Sequence, residues 1–461
     1  MATIVIPTPD HTKGLAPKIF RVGTLEYTQQ QLYVLFFWLM WNDFMIILLQ
    51  DPIGFGGFLE KNYGATNTQI ATFGTLSTIL TCWINPVFSV WSDRTRTRWG
   101  RRRPFLLLCT PPLAFLIACM PYMPTVEHYL LRFPFFNSLL NGLPVNGAVL
   151  MVGVCTLAIS IFNSIVGTLF SYLYWDVVPQ EVLGRWGSMT RIVTAAAGFG
   201  WQFFFFGLAD HHLKGLCIGV SIFALIAYLI SIWKVKEGGY PPVDTHEKGG
   251  AWFAPVRAYF VECFSDPFYL WIFAGFACAS INWGTGNYIN FYLRYNLHLD
   301  YDTMGKLNAW PGVLSILLGY FLGSMADRLH PIRIFAPSYI VLAGIYVGSF
   351  FFIHDKWSYL FWSCLINVGQ FAVGITYGAL MPQIFPREKF GQFCSANASC
   401  SMLINLLLGI PMGKLFDLLH SSYRYAYLIA AFSMAGAGAI FIKVHRNYEA
   451  RHGKAPVPHA G

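Results

Sequence analysis

Charge is what this sequence has least of. Of its 461 residues only 11% are Asp, Glu, Lys or Arg, while 55% are hydrophobic. An average soluble domain is about 25% charged. A soluble globule of this size is therefore excluded. Reactive motifs are missing too: there is no G-x-S-x-G, no H-E-x-x-H and no Walker loop, so neither hydrolysis nor nucleotide-driven pumping has its residues and no enzyme is expected. The ten cysteines form no C-x-x-C pair and sit almost wholly within apolar runs, as at Cys82, Cys155, Cys278 and Cys400. They read as reduced packing thiols rather than a disulfide framework. The segment Met1 to Gln31 holds Pro7, Pro9 and Pro17 but no apolar core of signal-peptide type, so the first span is expected to insert as an anchor.

What is present is a series of long apolar runs. Twelve reach the roughly 20 residues that cross a bilayer as a helix: about 32–49, 70–91, 104–121, 150–175, 192–208, 216–233, 270–292, 305–325, 334–353, 359–381, 392–411 and 425–442. The expected fold is an all-α membrane protein of twelve transmembrane helices in two six-helix pseudo-symmetric halves. Residues 1–31 form a cytoplasmic N-terminal segment, 32–233 the first bundle, 234–267 a linker, 268–443 the second bundle and 444–461 a cytoplasmic tail. Within the linker, KVKEGGYPPVDTHEKGG reads as an irregular connector and AWFAPVRAYFVECF as an interfacial amphipathic helix.

Between the second and third runs lies SDRTRTRWGRRRPF, with six arginines and Asp93. Arginine blocks also mark nucleic-acid binders, but flanks of spanning length make this one a loop at a membrane surface. With the N-terminus inside, this loop and most other Lys and Arg face the cytoplasm, leaving outside only eight, such as Lys61, Arg132 and Arg294. The positive-inside rule thus places both termini in the cytoplasm, in the cell (inner) membrane. The net charge of +9 suits anionic lipid rather than nucleic acid.

The two halves echo each other. VVPQEVLGRWGS follows the fourth run and IFPREKFGQFCS the tenth; Pro179, Glu181, Gly184 and Ser188 match Pro386, Glu388, Gly391 and Ser395 without a gap. Ser92-Asp93-Arg94 is matched by Ala326-Asp327-Arg328. This is a parallel repeat of six helices.

Polar residues within the runs are costly and hence informative. Asp43, beside Asn42 in the first run, has two readings: a functional carboxylate facing a cavity, or a structural ion pair with Arg191. Ser160, Ser164, Thr168, Ser171 and Trp175 share a face of the fourth run, and Thr78, Thr81, Asn85 and Ser89 one of the second. Small hydroxyls there are often helix-packing glue. Asn282, Gly286 and Asn290 share a face of the seventh, Asn367, Gln370, Gly374 and Tyr377 one of the tenth, and Asn397, Ser401 and Asn405 one of the eleventh. Amides with aromatic faces suit a ligand rich in hydroxyl groups. Asn397-Ala-Ser has the glycosylation pattern but falls within a span, and His211 and His212 sit in a short outer loop as solvated side chains rather than metal ligands.

On SDRTRTRWGRRRPF, on DVVPQEVLGR after the fourth span and on VKEGGYPP after the sixth, the chain resembles the glycoside-pentoside-hexuronide:cation symporter family and the related sucrose transporters, within the major facilitator superfamily. The resemblance implies a secondary active transporter that moves a sugar or glycoside by alternating access. Asp43 is similar in position to a sugar-binding aspartate, Trp175 to a sugar-stacking tryptophan and Arg191 to an arginine of the sugar site, while Ser171 stands where the family has another aspartate. Two cation-site aspartates fall at Thr81 and Asn85. Those two supply oxygens but no charge, so proton coupling is expected rather than sodium, with Asp43 as the proton-binding candidate. The resemblance assigns gating to Asp93, Arg94, Gly100, Arg101 and Arg102, echoed by Asp327 and Arg328. The arginines are expected to anchor the loop to lipid phosphates while Asp93 pairs with arginine or caps a helix. No cofactor beyond the coupling ion and a monomeric state are expected. A lysophospholipid or other amphiphile as cargo is an alternative, as is a transport-inactive receptor or scaffold.

Overall fold

The computed structural model describes residues 19–141, 145–239, 261–328, 331–386 and 389–452. A short hairpin, β1 (Phe20–Val22) with β2 (Leu25–Tyr27), precedes the helices. Twelve long helices follow: α1 (Gln29–Asn62), α2 (Asn67–Arg94), α3 (Arg103–Cys119), α4 (Gly147–Val177), α5 (Leu183–Gly200), α6 (Ala209–Lys234), α7 (Pro267–Phe291), α8 (Tyr301–Arg328), α9 (Pro331–Phe352), α10 (Lys356–Ile384), α11 (Phe390–Leu418) and α12 (Tyr425–His452). Their starts carry local signals. Thr28 and Thr66 form capping boxes with Gln31 and Gln69, Asp355 does so with Ser358, and Asn146 and Asp266 accept from the first turns of α4 and α7. α5 runs through a π turn at Trp201–Phe205, and the backbone breaks helical geometry at His212, so a 46-residue apolar stretch is two spans.

One boundary differs from the sequence-based expectation in a way that matters. The first run was expected to end at Leu49, before Pro52. Instead α1 continues through Pro52 to Asn62. A proline inside a helix removes one backbone donor, and a membrane bundle can re-satisfy the freed carbonyl. The extra turns draw Glu60 out of the expected loop and bury it. The long outer connection after α3 is also partly ordered, into short helices at Met123–Leu130 and Pro134–Asn141. Most of the linker, residues 240–260, lies outside the described residues; of the expected amphipathic helix, residues 261–264 are described and helical.

Packing repeats with a period of six helices. α1 lies against α4, α5 and α6, α3 against α4 and α6, and α2 against α4. Correspondingly α7 lies against α11 and α12, α9 against α10 and α12, and α8 against α10. The two sets meet where α2 packs on α11 and α5 on α8, pairings that exchange under the same repeat.

The contacts joining the sets cluster at the end away from the arginine loop. Asp417, at the end of α11, accepts from Asn67 N and Nδ2 and from Thr68 N at 2.8 Å, and from Thr68 Oγ1 at 2.6 Å. Tyr423 Oη donates to Asn67 Oδ1 at 2.6 Å, and Asp210 pairs with Arg294 at 3.2 Å. Phe55, Phe58 and Phe206 stack on Phe291, Tyr295 and Tyr301. Glycines permit this closeness: a Cβ at Gly413 would collide with the backbone of Asn67, and one at Gly305 with that of Gln202.

Candidate functional site

At the other end, the arginine loop folds onto its own half. Glu237, three residues past α6, accepts from the backbone N–H groups of Arg101, Arg102 and Arg103 at 2.8 to 2.9 Å, an anion seated on the free N-terminal donors of α3. A Cβ at Gly100, whose φ is +106°, would strike the Glu237 carboxylate. Arg101 bridges Asp93 at 3.2 Å and Asp176 at 2.5 Å, and Arg102 bridges Asp93 at 2.6 Å and Asp176 at 3.5 Å. Arg102 is 4% exposed, donates to Ser92 and lies over the Tyr172 ring. Arg103 donates to the Ile232 carbonyl at 2.6 Å. The expectation that the block anchors to lipid phosphates is therefore corrected for these three arginines. A desolvated guanidinium needs carboxylates and carbonyls, and Asp93, Asp176 and Ile232 supply them, while Glu237 takes the backbone N–H groups. Arg94 and Arg98 remain exposed. Asp327 and Arg328 end α8, and their side chains lie outside the described residues.

The first-half site residues do not gather around Asp43. Tyr174 Oη donates to Asp43 Oδ1 at 3.0 Å, whereas Oδ2 is buried without a partner among the described residues. Arg191 is exposed on α5. Of the two readings of Asp43, the ion pair with Arg191 is not formed among the described residues; Asp43 contacts Tyr174 of α4 instead. Tyr174 itself packs on Trp186 and Phe170. Ser171 and Trp175 are exposed one turn apart on α4, Trp175 at 68%, and Ser171 donates to its own helix at Gly167. On α2, Thr81 donates to the Ser77 carbonyl at 2.9 Å and Asn85 Nδ2 to Ser164 Oγ on α4 at 2.7 Å. Asp43–Tyr174 and Asn85–Ser164 tie helices together, Ser171 and Thr81 bond within their own helices, and no described cavity brings these residues together.

The second-half residues do converge. Asn282 of α7 and Asn367, Gln370 and Tyr377 of α10 line one cavity of about 760 Å³, walled further by Tyr339 of α9 and by Asn397 and Ser401 of α11. Trp283 lies at its edge, 86% exposed. Gln370 Nε2 donates to Tyr346 Oη at 2.7 Å. Asn282 Oδ1 and Asn397 Oδ1 are buried acceptors without a donor among the described residues. A smaller space of about 280 Å³ continues along Asn282, Gly286, Asn367 and Gln370 to Asn290 and Asn308. Asn397 belongs to the amide stripe that the sequence marked on the eleventh run, whereas Trp283 was not singled out as a ligand contact. Trp283 is one of fifteen tryptophans and carries no such signal.

A third cavity, of about 380 Å³, lies between the two halves under the aromatic closure, bounded by α1, α2, α4 and α5 and by Asn287, Asn290 and Asn308 of the second half. Glu60 faces it, 2% exposed. Sequence reasoning missed this residue because the first apolar run ends at Leu49.

Several solved transporters share the fold at low identity. A bacterial homologue of the iron transporter ferroportin, in an inward-facing state, superposes with TM-score 0.65 at 14% identity over 90% of this chain and 99% of its own. The nucleoside transporter NupG gives 0.62 at 11% over 89% and 98%. A D-xylose-proton symporter gives 0.59 at 12% over 89% and 95%. A search of curated proteins returned no match by sequence. The family model described as Major Facilitator Superfamily matches residues 32–409. The chain, a multi-pass membrane protein of twelve long helices in two like sets, belongs to the Major Facilitator Superfamily, whose members are transporters.

Proposed function

We propose that this transporter carries a sugar or glycoside by alternating access, coupled to protons. The observation that carries the reading is the amide-lined cavity of the second half. Asn282 and Asn397 each hold a buried carbonyl oxygen with no donor among the described residues, and a buried acceptor calls for one. Sugar hydroxyls donate and accept at once, as amides do, while Trp283 and Tyr377 offer ring faces for the apolar side of a pyranose. A space of about 760 Å³ falls within the 300 to roughly 1,000 Å³ common for ligand sites. From the first half, Ser171, Trp175 and Arg191 contribute when the halves close, and Asp43 positions α4 through Tyr174. By the positive-inside rule the arginine end is cytoplasmic, so the interlocked end faces outward and the conformation is open to the cytoplasm.

The test is a thermal-shift screen of the purified protein against disaccharides, alkyl glycosides and lysophospholipids, with and without sodium, followed by counterflow in proteoliposomes. A sugar or glycoside should raise the midpoint equally with and without sodium and support counterflow. Stabilisation by lysophospholipids alone, or a requirement for sodium, would overturn the reading.

A further inference from the structure

Glu60 is a carboxylate buried between the two halves. Its neighbours in that cavity are uncharged: Ser77 of α2, Thr156 and Ser160 of α4, Gln202 after α5, Asn287 and Asn290 of α7 and Asn308 of α8. The charged groups nearby are engaged elsewhere. Lys61 Nζ is held at Asn67 Oδ1, 3.3 Å away, and lies over the Tyr423 ring; Arg294 is paired with Asp210, and Lys306 with Asp302 at 2.5 Å. Asp417 is saturated by Asn67 and Thr68, and Tyr295 and Tyr301 belong to the aromatic closure. An ionised carboxylate buried without a cation among the described residues is costly at this depth, and protonation removes the cost.

The hydroxyl beside it is built for both states. Thr156 Oγ1 lies 3.1 Å from Glu60 Oε1 and 2.9 Å from the Gly153 carbonyl of its own helix. A hydroxyl has one hydrogen. When that hydrogen goes to Gly153, Glu60 must be the donor and therefore carry a proton; when Glu60 is ionised, the hydroxyl turns and gives its hydrogen to the carboxylate. Gly56, one turn before Glu60, makes the approach possible, because a Cβ there would collide with the Thr156 side chain.

We propose that Glu60 is the proton-coupling carboxylate of this transporter, gaining one proton from the open side and releasing it when the halves rearrange, with Thr156 as the two-position hydroxyl that accommodates either form. The proposal rests on the proton-coupled reading above and moves the coupling group from Asp43, which is turned toward Tyr174. A sodium ion fits less well: it needs several oxygens converging within one small cage, whereas these line a space of about 380 Å³.

The test reads Glu60 without needing the substrate. Dicyclohexylcarbodiimide modifies protonated carboxyls, so the full-length protein in proteoliposomes is treated over a pH series and its peptides are analysed by mass spectrometry. Glu60 should be the modified carboxylate at neutral pH, with labelling that falls about tenfold per pH unit above its midpoint. Thr156→Val should move that midpoint upward, since the lost donor supports the ionised form more strongly; a merely structural contact would change yield and leave the midpoint alone. Glu60→Gln should abolish the label and uncouple proton movement while leaving exchange of any transported sugar. Labelling of Asp43 instead of Glu60, a Thr156→Val midpoint equal to that of the parent, or substrate-driven proton uptake intact in Glu60→Gln would each overturn the proposal. The labelling result stands whether the cargo is a sugar or a lysolipid, so failure of the cargo reading is separately visible.

Discussion

The two halves share a helix plan and differ in what they place at the same depth. In the first, α1 carries Asp43 and Glu60, whose partners are the hydroxyls of Tyr174 and Thr156, and a third carboxylate, Asp51, whose side chain lies outside the described residues. In the second, α7, α10 and α11 present amides and aromatic rings around the large cavity, and no carboxylate is among its lining residues. A carboxylate in a poorly solvated site can change its charge by taking a proton, whereas an amide cannot; an amide can donate and accept toward a neutral solute without paying for a buried charge. On the proposed reading, proton response and solute recognition are housed apart, and among the described residues they meet where Glu60 faces Asn287, Asn290 and Asn308 across the interface. Transport then requires the halves to move together, because neither holds the whole chemistry.

The largest test of that division is the contact that joins the halves. Asp417 of the second half caps the start of α2 in the first through four hydrogen bonds to Asn67 and Thr68. Hydrogen bonds to a charged group contribute about 1.5 to 3 kcal/mol each, with non-additivity reducing the sum. On the orientation proposed above, in which this end faces outward, Asp417→Ala should weaken its closure by about 3 kcal/mol, a shift on the order of a hundredfold toward the outward-open state. A cysteine placed at Ser77, in a background without native thiols, should then react with an impermeant maleimide from outside. Unchanged reactivity would mean that the aromatic stack holds that end unaided.

Next in size is recognition by the second half. Asn282→Leu removes an amide from the point where the two second-half spaces meet, and should weaken sugar binding about tenfold to a hundredfold, or about 1.4 to 2.7 kcal/mol. Asp43→Asn should change equilibrium binding by less than about threefold, because its carboxylate reaches the site only through Tyr174. Titration calorimetry on both variants checks the contrast. Equal losses would erase the separation of roles between the halves.

Much of the architecture was legible from sequence because the membrane constrains it so tightly. Runs of spanning length must be helices, and the Pro-Glu-Gly-Ser repeat announces the two halves. The capping boxes of Thr28 with Gln31 and Thr66 with Gln69, which start α1 and α2 three residues earlier than the apolar runs, came from the structure. The amides of the large cavity were legible for a similar reason, since helical spacing places Asn367, Gln370 and Tyr377 on one face. Asp43 and Arg191 illustrate the limit. Both are polar groups on helices that pack together, but periodicity does not say which neighbour a side chain selects, and Asp43 selected Tyr174. Glu60 was hidden because the apolar run ends at Leu49, whereas the helix continues through Pro52 to Asn62. The inward fold of Arg101, Arg102 and Arg103 depends on Asp176 and Glu237, about 75 and 135 residues further along the chain, which no local pattern reveals.

The smallest expected effect concerns an ion pair confined to the second half. Asp266 caps α7 by accepting from Phe268 N at 2.9 Å, and Arg451 near the end of α12 pairs with it at 2.7 Å. The guanidinium hydrogen bond, helped by that backbone N–H, holds the Asp266 carboxyl below its ordinary value of 3.8. A carboxyl that is more acidic when folded stabilises the fold fully above its unfolded value and loses that contribution as pH falls through the folded one. Both side chains are a third to a half exposed, so solvent screening keeps the contribution under about 1 kcal/mol. Asp266→Asn should therefore lower the thermal midpoint slightly at neutral pH and match the parent once the pH is well below 3.8. The Glu237 cap of the first half behaves differently: it sits on three backbone donors beside the buried Arg102, where salt reaches poorly. Raising ionic strength should erase the Asp266→Asn difference and leave the arginine loop protected in hydrogen exchange. If salt affected both ends of the comparison alike, the arginine loop would be as solvated as the α7 cap, and its role as a rigid part of the first half would fall.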